Sequence, residues 1–396
     1  MKRVLFTLII GTASLNFAIC QTGSSDENSN LPKGGTTKFL LAGKAQTSWT
    51  NTHIDGSPSS NTFFPDAFML LPLVKINDKL FLDGQVEVDV DPTPGGFTAI
   101  NLVEMIVYYR LFPQASVFFG NFSPKYGLYN GLLDDFTNRF CTDPIGMARG
   151  PNTQTGIGIQ GGIQTGYSKL NYQVYLSNGP QLIVDNMTSG NGNPTGLLTY
   201  DNYSDNNKNK SIGGSIGFLP FSNSTFQLDL SGQYTAKTGD AGTDFENISS
   251  LSWAVDMNYY HVFQPITLRV LAEYNKTTTD NYNYPFTDST NAFIIPRFEN
   301  QLNGWYTGAT VRATGANSKI LSNMELGGRF GAYTPPKYQD ASLSNAPWGE
   351  NAETQTTVCL TYWFTWKTPL NLVYDILKQT DGPTIKTFQT RLIFFF

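Results

Sequence analysis

The sequence contains two histidines, His53 and His261. Because there are only two, their positions decide whether a histidine-dependent catalytic or metal site is possible. Nucleophilic catalysis needs a histidine beside a nucleophile and an orienting acid. The first is predicted in an exterior loop and the second on the outward face near a turn, and neither has an evident partner. Zinc needs clustered His and Cys ligands, which the sequence lacks. We therefore predict no catalytic residue, no metal, no cofactor and no enzyme.

Three glycines, Gly156, Gly158 and Gly161, match the spacing of a dinucleotide-binding loop. That motif requires a strand before it and a helix after it. Here the glycines lie inside a segment of alternating apolar and polar residues, and more strand-like sequence follows. The sequence therefore predicts strand glycines that relieve crowding near an inserted loop.

The composition excludes several classes of protein. The 396 residues carry a net charge of −5, and 14% are charged and 14% aromatic. A disordered chain would have fewer aromatic residues, and the acidic balance argues against a nucleic-acid partner. Beyond the first twenty residues the sequence has no run of about 18 apolar residues, which a transmembrane helix would need. The remaining class is a β-rich exported protein.

The first twenty residues have the parts of a cleaved signal peptide. Lys2 and Arg3 precede the apolar stretch 4–11, and Ala18-Ile19-Cys20 offers small residues for cleavage. Lipid attachment at Cys20 stays open as an alternative. The polar residues 21–36 are predicted to form a flexible N-terminal segment.

From residue 37 onward, the sequence alternates between apolar and polar residues, which is the pattern of β-strands. Sixteen such segments follow one another, separated in turn by short turns and by longer polar loops. The predicted strands are 37–48, 62–75, 79–90, 97–111, 115–123, 155–166, 169–178, 211–219, 224–236, 250–263, 265–276, 302–314, 318–333, 354–366, 370–379 and 385–396.

The even strand count and the alternation of short turns with long loops are typical of bacterial outer-membrane barrels. A barrel of sixteen strands is too wide for side chains to fill, so its interior holds water. The charged face of each strand then lines the interior and the apolar face meets lipid. The sequence thus predicts an all-β protein in which residues 37–396 form a transmembrane antiparallel β-barrel of about 16 strands.

One stretch resembles a known family. Residues 118–128, FFGNFSPKYGL, followed by Phe136-Thr137-Asn138-Arg139, are similar to a run in the phosphate-selective porin O and P family. The resemblance implies a trimeric porin whose anion sites are built from many Arg and Lys residues. A terminal strand that ends in Phe396 resembles the signal by which the barrel-assembly machinery recognises such proteins.

The loop 124–154 is predicted to fold into the bore, because its apolar residues need a surface to pack on; capping of the outer mouth is the alternative. The residues predicted at a constriction are Lys125, Asp134, Asp135 and Arg139, facing Arg110, Glu325 and Arg329. The residues predicted to line the pore are Asp83, Glu87, Glu104, Arg269, Glu273 and Arg391. The excess of acidic residues on this face predicts weak cation preference or none.

Two cysteines remain beyond the signal peptide. Cys141 lies in the loop 124–154, and Cys359 lies on a predicted interior face. A disulfide between them would close a long loop and fix the segment to the wall. Two free thiols far apart are the alternative, because a disulfide needs closely matched geometry.

These observations predict an outer-membrane porin of a Gram-negative bacterium, through which small hydrophilic solutes or ions diffuse passively. Its predicted partners are the lipid bilayer, the barrel-assembly machinery, small solutes and two further copies in a homotrimer. A substrate-specific channel for sugars or an anion is one alternative, with interior aromatic residues as a sugar track. A non-conducting surface-adhesion barrel is another, because the long loops are rich in Asn, Asp and Thr.

Overall fold

The computed structural model describes most of the chain after residue 36. The described ranges are 37–90, 98–128, 139–145, 150–183, 196–200, 203–221, 223–281, 298–338, 352–380 and 382–396, with Asn130, Met147, 286–287 and 293–294. The predicted signal peptide and flexible segment, residues 1–36, lie outside them.

Sixteen strands in the described residues form one closed antiparallel barrel in which strands next to each other in sequence are neighbours. They are β1 (Lys38–Ile54), β2 (Ser60–Lys75), β3 (Leu80–Val90), β4 (Thr98–Phe112), β5 (Ala115–Phe122), β6 (Gln154–Thr165), β7 (Ser168–Ser177), β8 (Ser211–Leu219), β9 (Phe226–Thr235), β10 (Ser250–Phe263), β11 (Ile266–Thr279), β12 (Gln301–Arg312), β13 (Met324–Thr334), β14 (Glu353–Thr365), β15 (Thr368–Gln379) and β16 (Thr384–Phe395). The predicted fold class and strand count are confirmed.

The barrel closes between its first and last strands. β1 and β16 pair from Lys44 opposite Phe395 to Ile54 opposite Ile385. Phe396 extends this seam, because its backbone nitrogen donates to the carbonyl of Gly43 at 3.1 Å. Closure satisfies backbone donors and acceptors that an open sheet edge would leave unpaired.

Two predicted boundaries differ from the structure by six residues, and the others differ by three or fewer. The predicted strand 318–333 begins only at Met324, because residues Lys319–Ser322 form a short helix, α1, whose N-cap is Ser318. Ile320 and Leu321 are adjacent and both exposed, which a strand facing one apolar environment does not provide. The predicted loop 49–61 is shorter than expected, since β1 continues to Ile54 and β2 starts at Ser60.

The barrel presents mostly apolar side chains outward, while its inner face carries polar side chains together with buried apolar ones. On β4, Ile100, Leu102 and Met105 are exposed, whereas Ile106 and Tyr108 are buried on the inner side. The alternation follows from strand geometry, since successive side chains leave opposite faces of a sheet. Among the described helices, none has the length and apolarity needed to cross a bilayer.

The glycine-rich stretch 156–161 lies within β6, and the strand continues to Thr165, as predicted. A Cβ atom at Gly158 would stand 2.4 Å from Cζ of Phe118, so the glycine makes room for that ring. Phe118 belongs to a buried cluster on the inner side of β3–β7, made of Phe81, Ile106, Tyr108, Phe118, Phe122 and Tyr175. Gly158 of β6 therefore makes room for the ring of Phe118 in this cluster.

Candidate functional site: the loop inside the barrel

The loop between β5 and β6 enters the barrel and crosses to the inner wall of β10 and β11. The hydroxyl of Tyr126 donates to the carbonyl oxygen of Trp253 at 3.1 Å. The backbone N–H of Leu128 donates to Oε2 of Glu273 at 2.9 Å. These contacts join residues more than 120 positions apart and place the first part of the loop against the interior wall.

Two arginines hold the second part of the loop. Arg329 on β13 donates to the carbonyl of Thr142 at 2.9 Å, to its Oγ1 at 2.9 Å and to the carbonyl of Asp143 at 3.1 Å. Arg391 on β16 donates to the carbonyl of Cys141 at 3.0 Å and pairs with Asp66 at 2.9 Å. Charged donors make stronger hydrogen bonds than neutral ones, so the backbone at 141–143 is fixed to the wall.

Apolar contacts support the same arrangement. Leu128 packs with Leu271 and Tyr306. Further along, Ile145 packs with Leu302 and Tyr333. Because these wall residues alternate with outward-facing positions on their strands, the contact shows that the described part of the loop lies on the inner side. The loop thus fills part of a space that strand side chains alone would leave open.

The structure brings some of the predicted constriction residues together and places others on different walls of the barrel. The carboxylate of Glu325 lies 3.9 Å from Arg139, whose guanidinium stands 4.7 Å over the ring of Trp363. Lys125 lies on the loop beside β7, where its backbone N–H donates to Gln173. Arg110 is on another wall, 5.3 Å over the ring of Phe81. Asp134 and Asp135 fall outside the described residues.

Three of the predicted pore residues differ from the expectation that they face open water. Arg329, Glu273 and Arg391 are only 6%, 5% and 9% exposed. The loop covers them, and each bonds to loop backbone. They act as anchors for the loop, which sequence alternation could not reveal because it reports only the face of a strand.

Other charged residues lie at several places on the inner face of the described strands, and Asp229 and Asp256 on β9 and β10 form one row with Glu273. On β3 and β4, four inward residues carry carboxyl groups: Asp83, Glu87, Asp89 and Glu104. On β11 and β12, the inward residues Arg269 and Arg312 carry guanidinium groups, and Arg139 joins them from the loop. Strands eight positions apart in a ring of sixteen lie diametrically opposite, and β3 and β11, like β4 and β12, are eight apart.

The two cysteines lie close together but are not bonded. Cys141 and Cys359 are free and buried, and they share an apolar cluster with Phe140 and Val373. The predicted disulfide is therefore absent from this structure, and so is the alternative of distant thiols. The fold of the loop, which brings residue 141 across the barrel, is the physical reason that the two thiols lie near each other.

Because these thiols are buried, we expect them to react slowly in the folded protein. Burial raises the pKa of the Cys141 thiol to about 11, and the thiolate is the reactive form. In a Cys20→Ser background, we expect iodoacetamide at pH 8 to leave the folded protein unlabelled and to label two thiols after denaturation. A Ser57→Cys variant, in an exposed hairpin, is the control and should react at once. Rapid labelling of the folded protein, or no thiols in the unreduced denatured chain, would contradict the structure.

The prediction that His53 has no partner side chain is wrong. His53 lies at the end of β1 rather than in a loop, and its Nδ1 is 3.0 Å from Oγ of Ser59. Its Nε2 is 3.7 Å from Asp55, beyond hydrogen-bonding distance. All of these groups sit in an exposed hairpin, where water screens charge. His261, as predicted, lies near a turn, between the rings of Tyr259 and Phe263.

The aromatic residues considered as a sugar track do not present open ring faces. Phe81, Tyr108 and Tyr175 are buried in the cluster on β3–β7. Trp363 is also buried, with Arg139 and Arg312 standing 4.7 and 5.5 Å from its ring centre. A sugar needs a free ring face for stacking, so this arrangement disfavours that alternative.

The closed ring of sixteen antiparallel strands, with long loops at one end, short turns at the other and one loop folded inside, is the fold of outer-membrane β-barrels. The chain matches no protein-family model and no curated protein, so the resemblance to the phosphate-selective family stays a prediction.

Solved structures confirm the fold at low sequence identity. The outer membrane channel DcaP of Acinetobacter baumannii has a TM-score of 0.55 at 13% identity, over 91% of this chain and 97% of that one. An anion-selective porin from Comamonas acidovorans has a TM-score of 0.55 at 12% identity, over 91% and 100%. OmpT of Vibrio cholerae, in a trimer form, has a TM-score of 0.50 at 10% identity, over 91% and 100%.

Proposed function

We propose that this protein is a porin of the bacterial outer membrane, through which small hydrophilic solutes or ions diffuse passively. The observation that carries the proposal is a loop held inside a wide barrel by Glu273, Arg329 and Arg391. Such a loop narrows the passage while charged side chains keep the rest of it wet. The protein performs no covalent chemistry in this proposal.

The outward face supports a location in lipid. Large apolar side chains such as Ile100, Phe119 and Leu326 are 75%, 61% and 59% exposed on that face. Soluble proteins rarely expose such wide apolar surfaces, and a closed barrel leaves no unpaired backbone edge for lipid to meet. We propose that residues 37–396 span the outer membrane after export and cleavage at about residue 20.

The proposal extends to assembly. The last barrel strand, β16, carries Phe388, Phe394 and Phe395, and recognition of this strand by the barrel-assembly machinery is part of the proposal. A homotrimer is the proposed oligomer, since one barrel of similar fold is described in a trimer form. Crosslinking of the purified protein in detergent tests the oligomer.

Planar lipid bilayers provide the test of the function. We expect stepwise increases of conductance that grow in proportion to salt concentration, because water-filled pores carry ions without a saturable site. Conductance that saturates with one solute would favour the substrate-specific channel instead. Absence of any conductance from well-folded protein would contradict the porin and favour the adhesion barrel. Denatured protein added at the same concentration is the control.

A further inference from the structure

Three adjacent strands at the seam of the barrel, β15, β16 and β1, carry basic side chains near their long-loop ends. Lys386 of β16 lies directly opposite His53 of β1 and, on its other side, opposite Ile376 of β15. Lys378 follows Ile376 by two positions, so its side chain leaves the same face of the sheet and is a diagonal neighbour of Lys386. We call Lys378, Lys386 and His53 the rim cluster.

The rim cluster lies on the outer face of the barrel. Tyr374 and Phe388, which lie opposite each other on β15 and β16, share this face and are exposed. Asp375 and Gln389, the residues that follow them, leave the other face and are buried. Because side chains alternate along a strand, the rim cluster points away from the lumen.

The positive charge of the rim cluster is only partly balanced. The three strands contain one carboxylate between them, that of Asp375, and it is on the inner side. Asp55, in the hairpin that follows β1, lies 3.8 Å from Nζ of Lys386 and 3.7 Å from Nε2 of His53. Within the described part of the chain, Lys378 makes no ion pair. Two lysines therefore share one carboxylate at this surface.

Aromatic rings lie beside the rim cluster, on the side toward the middle of the barrel. The ring of Trp49 stands 5.9 Å from that of Phe63 and 5.8 Å from that of Phe388. Phe63 is 82% exposed, and Tyr374 continues the aromatic surface onto β15. Aromatic side chains are typical of the level of a bilayer where acyl chains meet headgroups. The face thus presents rings at that level and ammonium groups on the headgroup side.

We propose, on the basis of the outer-membrane location proposed above, that this face binds a lipid of the outer leaflet whose headgroup carries phosphate. The phosphate would contact the ammonium groups of Lys378 and Lys386, and its acyl chains would lie against Trp49, Phe63 and Phe388. Lysine stems can follow an apolar surface while the charged ends reach the headgroups. A lysine near an anionic lipid surface gains free energy from that attraction, so a lipid with a phosphate headgroup fits the charge of this surface.

Quenching of Trp49 by lipids with brominated acyl chains tests the proposal, because bromine quenches tryptophan fluorescence only on contact. The protein is inserted into phosphatidylcholine vesicles that contain a small fraction of either brominated phosphatidic acid or brominated phosphatidylcholine. The difference between the parent protein and W49F gives the signal of Trp49. We expect half-quenching at an about fivefold lower fraction of the phosphatidic acid, the scale of one lysine beside an anionic surface.

Two results would overturn the proposal. Equal quenching of Trp49 by the two lipids would show that the face does not select phosphate. Absence of quenching by either lipid would show that another copy of the chain covers the face. Protein that folds by heat-modifiable mobility but inserts into neither kind of vesicle would instead contradict the outer-membrane location.

Charge variants identify the responsible side chains. In K378Q/K386Q we expect the two lipids to quench Trp49 equally, whereas K378R/K386R, which keeps both charges, retains the preference. K276Q/K319Q is the matched control: Lys276 lies opposite Trp253 near the long-loop end of β11, and Lys319 is exposed in α1. K378Q alone should lower the preference in part, and it keeps the test available if the double variant fails to fold. An unchanged preference in K378Q/K386Q would overturn the proposal.

Discussion

Replacement of Arg329 by methionine is expected to raise the single-channel conductance roughly twofold, because a displaced loop widens the passage that limits ion flow. Arg329 donates three hydrogen bonds to Thr142 and Asp143 of the loop and stands 5.0 Å over the ring of Phe140. Methionine has a similar length but no donors. Hydrogen bonds to charged groups contribute about 1.5–3 kcal/mol each, so their loss should detach the segment 139–145 from β13 and β14.

The measurement is conductance in planar bilayers together with the size of the largest sugar that enters liposomes. Arg329→Lys keeps the charge but reaches fewer acceptors, so we expect an intermediate increase. Arg110→Met is the matched control, since it removes one arginine from a different wall, where its described ring contact is with Phe81. An unchanged conductance and size limit in Arg329→Met would show that this anchor does not hold the loop in the passage.

Replacement of Gly120 by alanine is expected to destabilise the barrel by several kcal/mol and to prevent most of the protein from assembling. Gly120 has a φ of +138°, a backbone conformation that residues with a Cβ rarely adopt. An added Cβ would lie 2.0 Å from the carbonyl oxygen of Met105 on β4. Because that atom is backbone, relief requires β4 and β5 to separate just where the loop begins.

Heat-modifiable mobility in gel electrophoresis and the urea midpoint measure this effect. Gly328→Ala is the matched control, because Gly328 is exposed on the outer side and an added Cβ meets nothing nearer than 4.0 Å. We expect the control to assemble as the parent protein does. Equal midpoints for Gly120→Ala and the parent would refute the close approach of Met105.

The patterns that predicted the fold are local. Alternation along Lys79–Val90 or Thr356–Trp366 has a period of two, and that period is set by strand geometry wherever the strand ends up. The same pattern assigned Glu273, Arg329 and Arg391 to the inner face, where they lie. The short helix α1 was missed because Ile320 and Leu321 were interpreted as part of the next strand, although Ser318 offers an N-cap.

Only the tertiary structure determined which inner-face residues contact the loop between β5 and β6. Arg329 contacts Thr142 across 187 positions of sequence, and the path of a long loop through a wide lumen has no periodic pattern to predict it. That path buried the three anchors and brought Cys141 beside Cys359. Which inner residues face one another across the lumen likewise depends on which strands stand opposite, and that is fixed only when the ring of sixteen closes.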